Sequence, residues 1–468
     1  MPHGAALVLL LVVACGGGAR SASAGSASPT ARPPTPLQAA STGRGSADDP
    51  ADGEASEPVT APALAAYFAR LVDAGRFAGE VRVTRGDRLL WQARLGPVLG
   101  ADGDPIDGPL RAPIGSITKD FVVALVGRLM QAHGLAIDAE LGDLLPDAGA
   151  YGEVTVDEIL RHRSRFPREP DGGRGAEDPV DVLVDRCLRS RPRPEGEIAG
   201  APHYSNCAYL VLGHALSLRF RSSLSALLTE HVLDPLGLGQ TGFDRGDPRP
   251  IAVSWRGGRF LPSAASPAPG PGERASGGLY STVVDLDRFY RGARAPGFLS
   301  AETRRRLPQI DQHAGRVPGY MAYAGLSRGV GVFLLSVADD VPVHPVASDL
   351  VAAVADGRPL PERTWRWSGL PTPPDALGAC TGRYVLLVDR GVRIDLEAGP
   401  SATIRQGSAE SAFDLRLAAD GELHFVARED HGELLPFSVM LDTARDGCHR
   451  VKVRLNGGVP LDAQRLPE

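Results

Sequence analysis

The 468-residue sequence predicts an α/β (α+β) fold: an antiparallel sheet built from strands at both ends of one domain, flanked by helices, with a helical region inserted. A small C-terminal all-β domain follows. Three observations carry this expectation. Strand-like runs stand on either side of a long stretch of helices and loops, and the segment 116–133 is apolar nearly all round. Past residue 361 the pattern changes to short alternating strands divided by Gly and Asp.

The first element is not part of the fold. Residues 1–15 end in "ALVLLLVVAC", a short apolar run closed by small residues and Cys15. This resembles a bacterial lipoprotein signal peptide, whose cysteine is lipidated and becomes the mature N-terminus. A plain secretory signal is the alternative, because the preceding Met-Pro-His carries no Lys or Arg. Either reading exports the protein. The expected location is the bacterial cell envelope, as a membrane-anchored lipoprotein on the periplasmic or outer-membrane side, or otherwise the periplasm or medium. Residues 16–58 are Gly, Ala, Ser, Pro and Thr with almost no large apolar side chain, which predicts a disordered linker.

"APALAAYFARLVDAGRF" (61–77) has helical spacing, and "GEVRVTR" and "RLLWQAR" form a hairpin through Gly86-Asp87. "SITKDFVVALVGRLMQAH" is a central helix stopped by Gly134. Helices and loops occupy 135–295. "GYMAYAGLSRGVGVFLLSV" reads as two strands around a turn, and "PVASDLVAAVADG" as a closing helix. These elements delimit a domain at 59–360. Residues 361–468, with runs such as "GRYVLLV", "RIDLEA" and "SATIRQ", form the small β-rich domain.

Composition narrows the partners. The net charge of −6 and pI near 6.0 give no reason to expect nucleic acid. After residue 15 no apolar run is long enough for a membrane span, so a lipid anchor is the expected membrane contact. No HExxH or CxxC occurs, and "DGDPIDG" (102–108) sets its third Asp one place late for an EF-hand, so neither a metal nor another cofactor is expected. Cys187, Cys207, Cys380 and Cys448 face an oxidising compartment. Pairing Cys187 with Cys207 and Cys380 with Cys448 staples each domain once. Two other pairings, or buried free thiols, fit the same sequence.

The chemistry begins at "IGSITKDF". Among 50 Lys plus Arg residues only Lys119 and Lys452 are lysine. Lys119 stands three residues after Ser116, so on a helix starting there its amine reaches the serine hydroxyl. A serine needs a base to become a nucleophile, and a guanidinium stays charged and cannot be one. A lysine in apolar surroundings near a helix N-terminus can.

Two further motifs keep it company. "PHYSNCAYLVLG" places Tyr204 and Asn206 before an apolar helix, and "DQHAGRVPGYMAYAG" places His313 and Gly315 at the start of a strand. Ser-x-x-Lys, Tyr-x-Asn and His-x-Gly, in that order, resemble the serine β-lactamase and penicillin-binding-protein family, in its class C β-lactamase-related branch. The resemblance covers roughly residues 60–357 and implies a β-lactamase/transpeptidase-like fold. It implies Ser116 as the acylated nucleophile, Lys119 as its base and Tyr204 as the group passing the proton to the leaving group. Asn206 binds substrate, and His313 with Gly315 lines the strand edge. The backbone N–H groups of Ser116 and Arg316 form the oxyanion hole.

Three features depart from the family pattern. Ala314 replaces a hydroxyl residue, and "LRHRSRFP" carries arginines where Thr-Ser-Gly is usual. Only "RRRLPQIDQ" lies between the "LSAET" helix and His313, where a further strand usually fits. "GLSRG" (325–329) matches a nucleophile elbow, but the β-branched run after it puts Ser327 in a hairpin turn. The expected protein is a secreted, membrane-tethered serine hydrolase acting on an ester, amide or β-lactam, with small molecules or peptides as substrates and esterase activity favoured. A D-alanyl-D-alanine carboxypeptidase or β-lactamase is one alternative. A non-catalytic relative that keeps the pocket for binding is another.

Overall fold

The computed structural model describes residues 59–466, except 101, 172–177, 194–202, 245–249, 257–258, 264–272, 339–340, 363–368, 371–376, 378–379, 387–391, 398–400, 407–408, 419–422, 428–437, 441–449 and 455–460. Cys15, the linker and Cys448 therefore lie outside the described residues. Among those described, no helix is long and apolar enough to cross a membrane.

Helix α1 (Ala61–Asp73) is capped by Thr60, whose hydroxyl accepts the Ala63 N–H at 3.3 Å, with a proline in its first turn. It stops short of the predicted residue 77 because Gly75 turns to φ 74°. Among the described residues the first part of the chain has nine strands: β1 (Gly79–Arg85), β2 (Arg88–Leu95), β3 (Ala112–Pro113), β4 (Val253–Arg256), β5 (Arg259–Pro262), β6 (Tyr280–Ser281), β7 (Gln312–Val317), β8 (Tyr320–Ser327) and β9 (Val330–Ser336). The main sheet is antiparallel in the order β2-β1-β9-β8-β7. Gly79 pairs with Ser336 and Arg85 with Val330, so the two ends of the domain meet in the middle of the sheet. Ser327 ends β8, and Arg328 and Gly329, both at positive φ, make a two-residue hairpin turn; there is no elbow.

Period-two alternation sorts the sheet's side chains onto two cores. Val81, Val83, Met321, Tyr323 and Val332 pack under Leu64, Tyr67, Phe68 and Leu71 of α1 and under α6 (Val343–Asp356). Ala322, Ala324, Phe333 and Leu335 join the larger core on the opposite face. That core is built on α2 (Thr118–His133), buried at every residue from Thr118 to Gly127, and on α5 (Val283–Arg294), whose Phe289 stacks on Phe121 at 3.7 Å. Helices α3 (Val180–Arg189) and α4 (Asn206–Phe220) belong to the inserted region.

The C-terminal strands are β10 (Gly369–Leu370), β11 (Gly382–Leu386), β12 (Val392–Glu397), β13 (Ser401–Gln406), β14 (Ala409–Ala418), β15 (Leu423–Ala427), β16 (Ser438–Met440), β17 (Arg450–Arg454) and β18 (Leu461–Arg465). From β11 to β18 each strand pairs antiparallel with the next, and β18 pairs with β11. The result is an eight-stranded up-and-down barrel with β10 added beside β14. Tyr384, Ile394, Leu396, Ala402, Val451 and Ala463 are buried in it. Cys380 is disulfide-bonded, while Cys448, its expected partner, lies outside the described residues.

Candidate active site

Ser116 does not begin the helix. It occupies a single 3-10 turn, Gly115–Ile117, and α2 starts at Thr118. The turn is locked against edge strand β7. Gly115 holds φ 51°, and a Cβ there would sit 2.7 Å from the Arg316 nitrogen. A Cβ on Gly315 would sit 1.8 Å from the Ile114 carbonyl oxygen and 3.0 Å from the Ser116 nitrogen. Backbone thus meets backbone where a side chain cannot fit, which brings Ser116 and Arg316 main chain together. The third side is the segment before β6, where the Leu279 carbonyl accepts the Ile114 N–H at 3.0 Å and the Leu279 N–H reaches Thr118 Oγ1 at 3.1 Å.

Lys119 is 1% exposed. Its surroundings are not the apolar ones expected. Nζ donates to Asn206 Oδ1 at 2.8 Å, to the Ser276 carbonyl at 2.5 Å and to Ser116 Oγ at 3.2 Å. These acceptors hold the amine on the serine. Tyr204 reaches the same hydroxyl, with Oη 2.6 Å from Ser116 Oγ. Its ring lies 4.8 Å from Lys119 Nζ and 5.2 Å from Arg168 Cζ, and stacks on His162 at 4.5 Å. Both basic groups lie within cation–π reach of the ring.

Asn206 bridges Lys119 to the loop at Glu169. It is 6% exposed, and while Oδ1 takes Lys119, Nδ2 donates to Glu169 Oε1 at 2.6 Å. A carboxylate accepts only and an ammonium donates only, so this amide has one allowed orientation.

The loop 162–169 grips the Tyr204 segment. His203 N–H donates to the His162 carbonyl, and Ser205 N–H donates to His162 Nδ1 at 3.2 Å. Ser205 Oγ donates to the Pro167 carbonyl at 2.6 Å and accepts the Ala208 N–H at 2.9 Å, capping α4. Burial first, then the charge of Lys119, lowers the His162 imidazole to about 3, so it is neutral and its Nδ1 can accept. One residue beyond Asn206, Cys207 is joined to Cys187 in a disulfide that ties α4 to α3.

His313 is on β7 as expected, and its Nδ1 lies 2.8 Å from Asp120 Oδ1. Asp120 Oδ2 accepts the Tyr290 hydroxyl at 2.5 Å. Ala314 faces away, packed against the core under α1 and α6. The helix Ala301–Arg306 runs directly into β7 through Leu307–Asp311, and β7 is the sheet edge.

The sequence reading named Ser116, Lys119, Tyr204, Asn206, His313, Gly315 and Arg316, and the fold assembles all of them. It missed His162, Glu169, Ser276 and Asp120. His162 sits inside "LRHRSRFP", and Asp120 is adjacent to Lys119. Among the described residues no group of three or more His, Cys, Asp or Glu is arranged for a metal.

The beta-lactamase family model matches residues 64–383. Among curated relatives, esterase EstB of Burkholderia gladioli is 26% identical over 354 residues, 66% of this chain and 84% of that protein. The D-alanyl-D-alanine-carboxypeptidase/endopeptidase AmpH of Escherichia coli strain K12 is 26% identical over 211 residues, 42% of this chain and 51% of AmpH. Of the solved structures, SurE superposes with a TM-score of 0.54 at 19% identity, covering 86% of this chain and 98% of that chain. The octameric penicillin-binding protein homologue from Pyrococcus abyssi gives 0.50 at 16% identity, covering 86% and 99%. At those identities the likeness of structure concerns the fold. Because the family match runs from α1 to the first barrel strand, taking in Ser116, Lys119, Tyr204 and His313 on the way, the chain belongs to the beta-lactamase family of serine hydrolases.

Proposed function

We propose that this protein is an exported serine hydrolase that cleaves small esters through an acyl-enzyme on Ser116. The observation that carries this is the pair of contacts on Ser116 Oγ, 3.2 Å from Lys119 Nζ and 2.6 Å from Tyr204 Oη. In acylation Oγ attacks the ester carbonyl, and its proton passes to the basic form of the Lys119–Tyr204 pair. The oxyanion is held by the N–H groups of Ser116 and Arg316. Collapse expels the alcohol, which takes the proton from Tyr204. Water then repeats the sequence on the acyl-enzyme and restores Ser116.

Esters are favoured over β-lactams and D-alanyl peptides because those substrates carry a carboxylate, and the Ala314 methyl is turned into the core. Such a hydroxyl contact is worth about 0.5–1.5 kcal/mol, or about 1.5–3 kcal/mol to a charged acceptor. EstB and AmpH, named for esterase and carboxypeptidase activity, span the two options. The Cys15 run supports export and a lipid anchor.

One purified preparation assayed against p-nitrophenyl acetate, nitrocefin and a D-Ala-D-Ala peptide, with fluorophosphonate labelling mapped by mass spectrometry, tests the reading. Ester turnover with label on Ser116 is expected. Absence of any label on Ser116 supports the non-catalytic binding protein instead, and fast nitrocefin turnover without esterase activity reverses the substrate order. Cys15→Ser is expected to release the protein from the membrane fraction.

A further inference from the structure

One residue outside the Ser116–Lys119–Tyr204 group holds three successive residues centred on the phenol. The His162 carbonyl accepts the His203 N–H, its ring stacks on the Tyr204 ring at 4.5 Å, and its Nδ1 accepts the Ser205 N–H at 3.2 Å. His162 does this from φ 56°, in the left-handed region that a non-glycine residue seldom adopts. Backbone in such a state persists where its surroundings over-determine it, and it gathers at functional sites. The ring also lies 5.2 Å from that of Tyr209, whose hydroxyl donates to the Leu160 carbonyl at 3.0 Å, two residues before His162. Burial first, then the charge of Lys119, lowers the imidazole to about 3, so at neutral pH Nδ1 remains an acceptor. Residues on both sides of Tyr204 are thus fixed, and its hydroxyl stands 2.6 Å from Ser116 Oγ.

We propose that His162 is a positioning residue that holds the Tyr204 hydroxyl in line for proton delivery to the leaving group, and so sets which alcohols the enzyme can expel. This rests on the reading of Ser116 as nucleophile and of Tyr204 as donor to the departing alcohol. As the tetrahedral intermediate collapses, the carbonyl carbon–oxygen bond to the alcohol breaks. The Tyr204 proton moves to that oxygen, and the alcohol leaves neutral. An activated p-nitrophenolate departs without a proton, whereas an alkoxide such as ethoxide needs one. Misplacing a reacting group by about 1 Å can cost about a hundredfold. A phenol loosened from Ser116 therefore penalises unactivated esters most.

The test compares ethyl acetate with p-nitrophenyl acetate on the full chain, because the two share an acyl group and kcat/KM reports acylation for both. Fluorophosphonate labelling of Ser116, carried to completion, counts active protein. His162→Ala is expected to lower kcat/KM for the ethyl ester at least about tenfold more than for the p-nitrophenyl ester. Tyr204→Phe should show the same skew, and adding His162→Ala to it should lower the ethyl ester rate no further. His162→Asn is tolerated at positive φ and carries an oxygen where Nδ1 stood. It should recover part of the ethyl ester rate yet stay below the wild type, and it carries the test if His162→Ala does not fold. Equal losses on the two esters overturn the inference, since a merely structural residue scales both alike. So does a full further loss in the double variant, or a wild type that labels and cleaves p-nitrophenyl acetate but never ethyl acetate. If Ser116 takes no label in the wild type, the nucleophile reading falls and this inference with it.

Discussion

The Lys119 amine and the Asn206 amide oxygen are 2.8 Å apart in a site where Lys119 is 1% exposed. A buried amine met by acceptors on several sides is specified by geometry as well as by charge, which sharpens what each substitution should do.

Lys119→Arg keeps the charge and removes the base. General base catalysis is worth about 10²–10⁴-fold, so fluorophosphonate labelling of Ser116 should slow by at least about a hundredfold. Lys119→Met tests the packing instead. It leaves Asn206 Oδ1 and the Ser276 carbonyl without this donor, at about 1–3 kcal/mol for each buried acceptor, and a thermal melt should show the loss.

Glu169→Gln removes the acceptor-only group that orients the Asn206 amide. The bond is of a kind worth about 1.5–3 kcal/mol, so kcat should fall about tenfold to a hundredfold with KM nearly unchanged. A change in KM alone would mean that Glu169 touches substrate and does not orient Asn206.

Gly315→Ala places a methyl 1.8 Å from the Ile114 carbonyl oxygen. Neither backbone can yield without moving the Ser116 turn, and overpacking of this sort costs about 1–3 kcal/mol or more. The variant should melt lower and label slowly. Gly329→Ala, with nothing within 4 Å of its Cβ, should carry only the strain of its positive φ and leave labelling intact.

Acid should destabilise the fold in a defined window. His162 and His344 have ordinary values of 6.5 and are lowered to about 3 and about 4, burial being the first cause for both. Below about pH 6.5 the unfolded chain takes up protons that the fold refuses, so stability falls as pH drops from there towards 4 and then 3. Above that window these groups contribute no slope. The total is on the order of several kcal/mol. Denaturant melts across pH should show it, and His344→Gln should flatten the upper part of the curve.

Much of the site was legible because its chemistry depends on spacing along the chain. Ser116 and Lys119 are a turn apart, Tyr204 and Asn206 straddle a helix cap, and His313 to Arg316 lie on one strand. What the sequence concealed are contacts between distant segments. Lys119 appeared destined for apolar surroundings because α2 is apolar nearly all round, yet its acceptors come from residues 206 and 276. The Glu169 contact of Asn206 was hidden because nothing local forecasts a partner 37 residues earlier. The sheet was readable from its two hairpins, since each pairs locally. Closure of the barrel was not, because the β11–β18 pairing joins residues such as Tyr384 and Arg465.

The pairing of Gly79 with Ser336, and the docking of the Ser116 turn on Gly315, also set an order of events during synthesis. A ribosome-bound chain that has made Ser116, Lys119, Tyr204 and Asn206 still lacks the strand that shapes the Ser116 turn and the hairpin that completes the sheet. Until the chain has been made to Ser336, strand β1 lacks β9 on one side, and until Gly315 has been made the Ser116 turn lacks the backbone it docks on. The main sheet thus closes only with segments drawn from both ends of the domain, Gly79–Arg85 and Val330–Ser336.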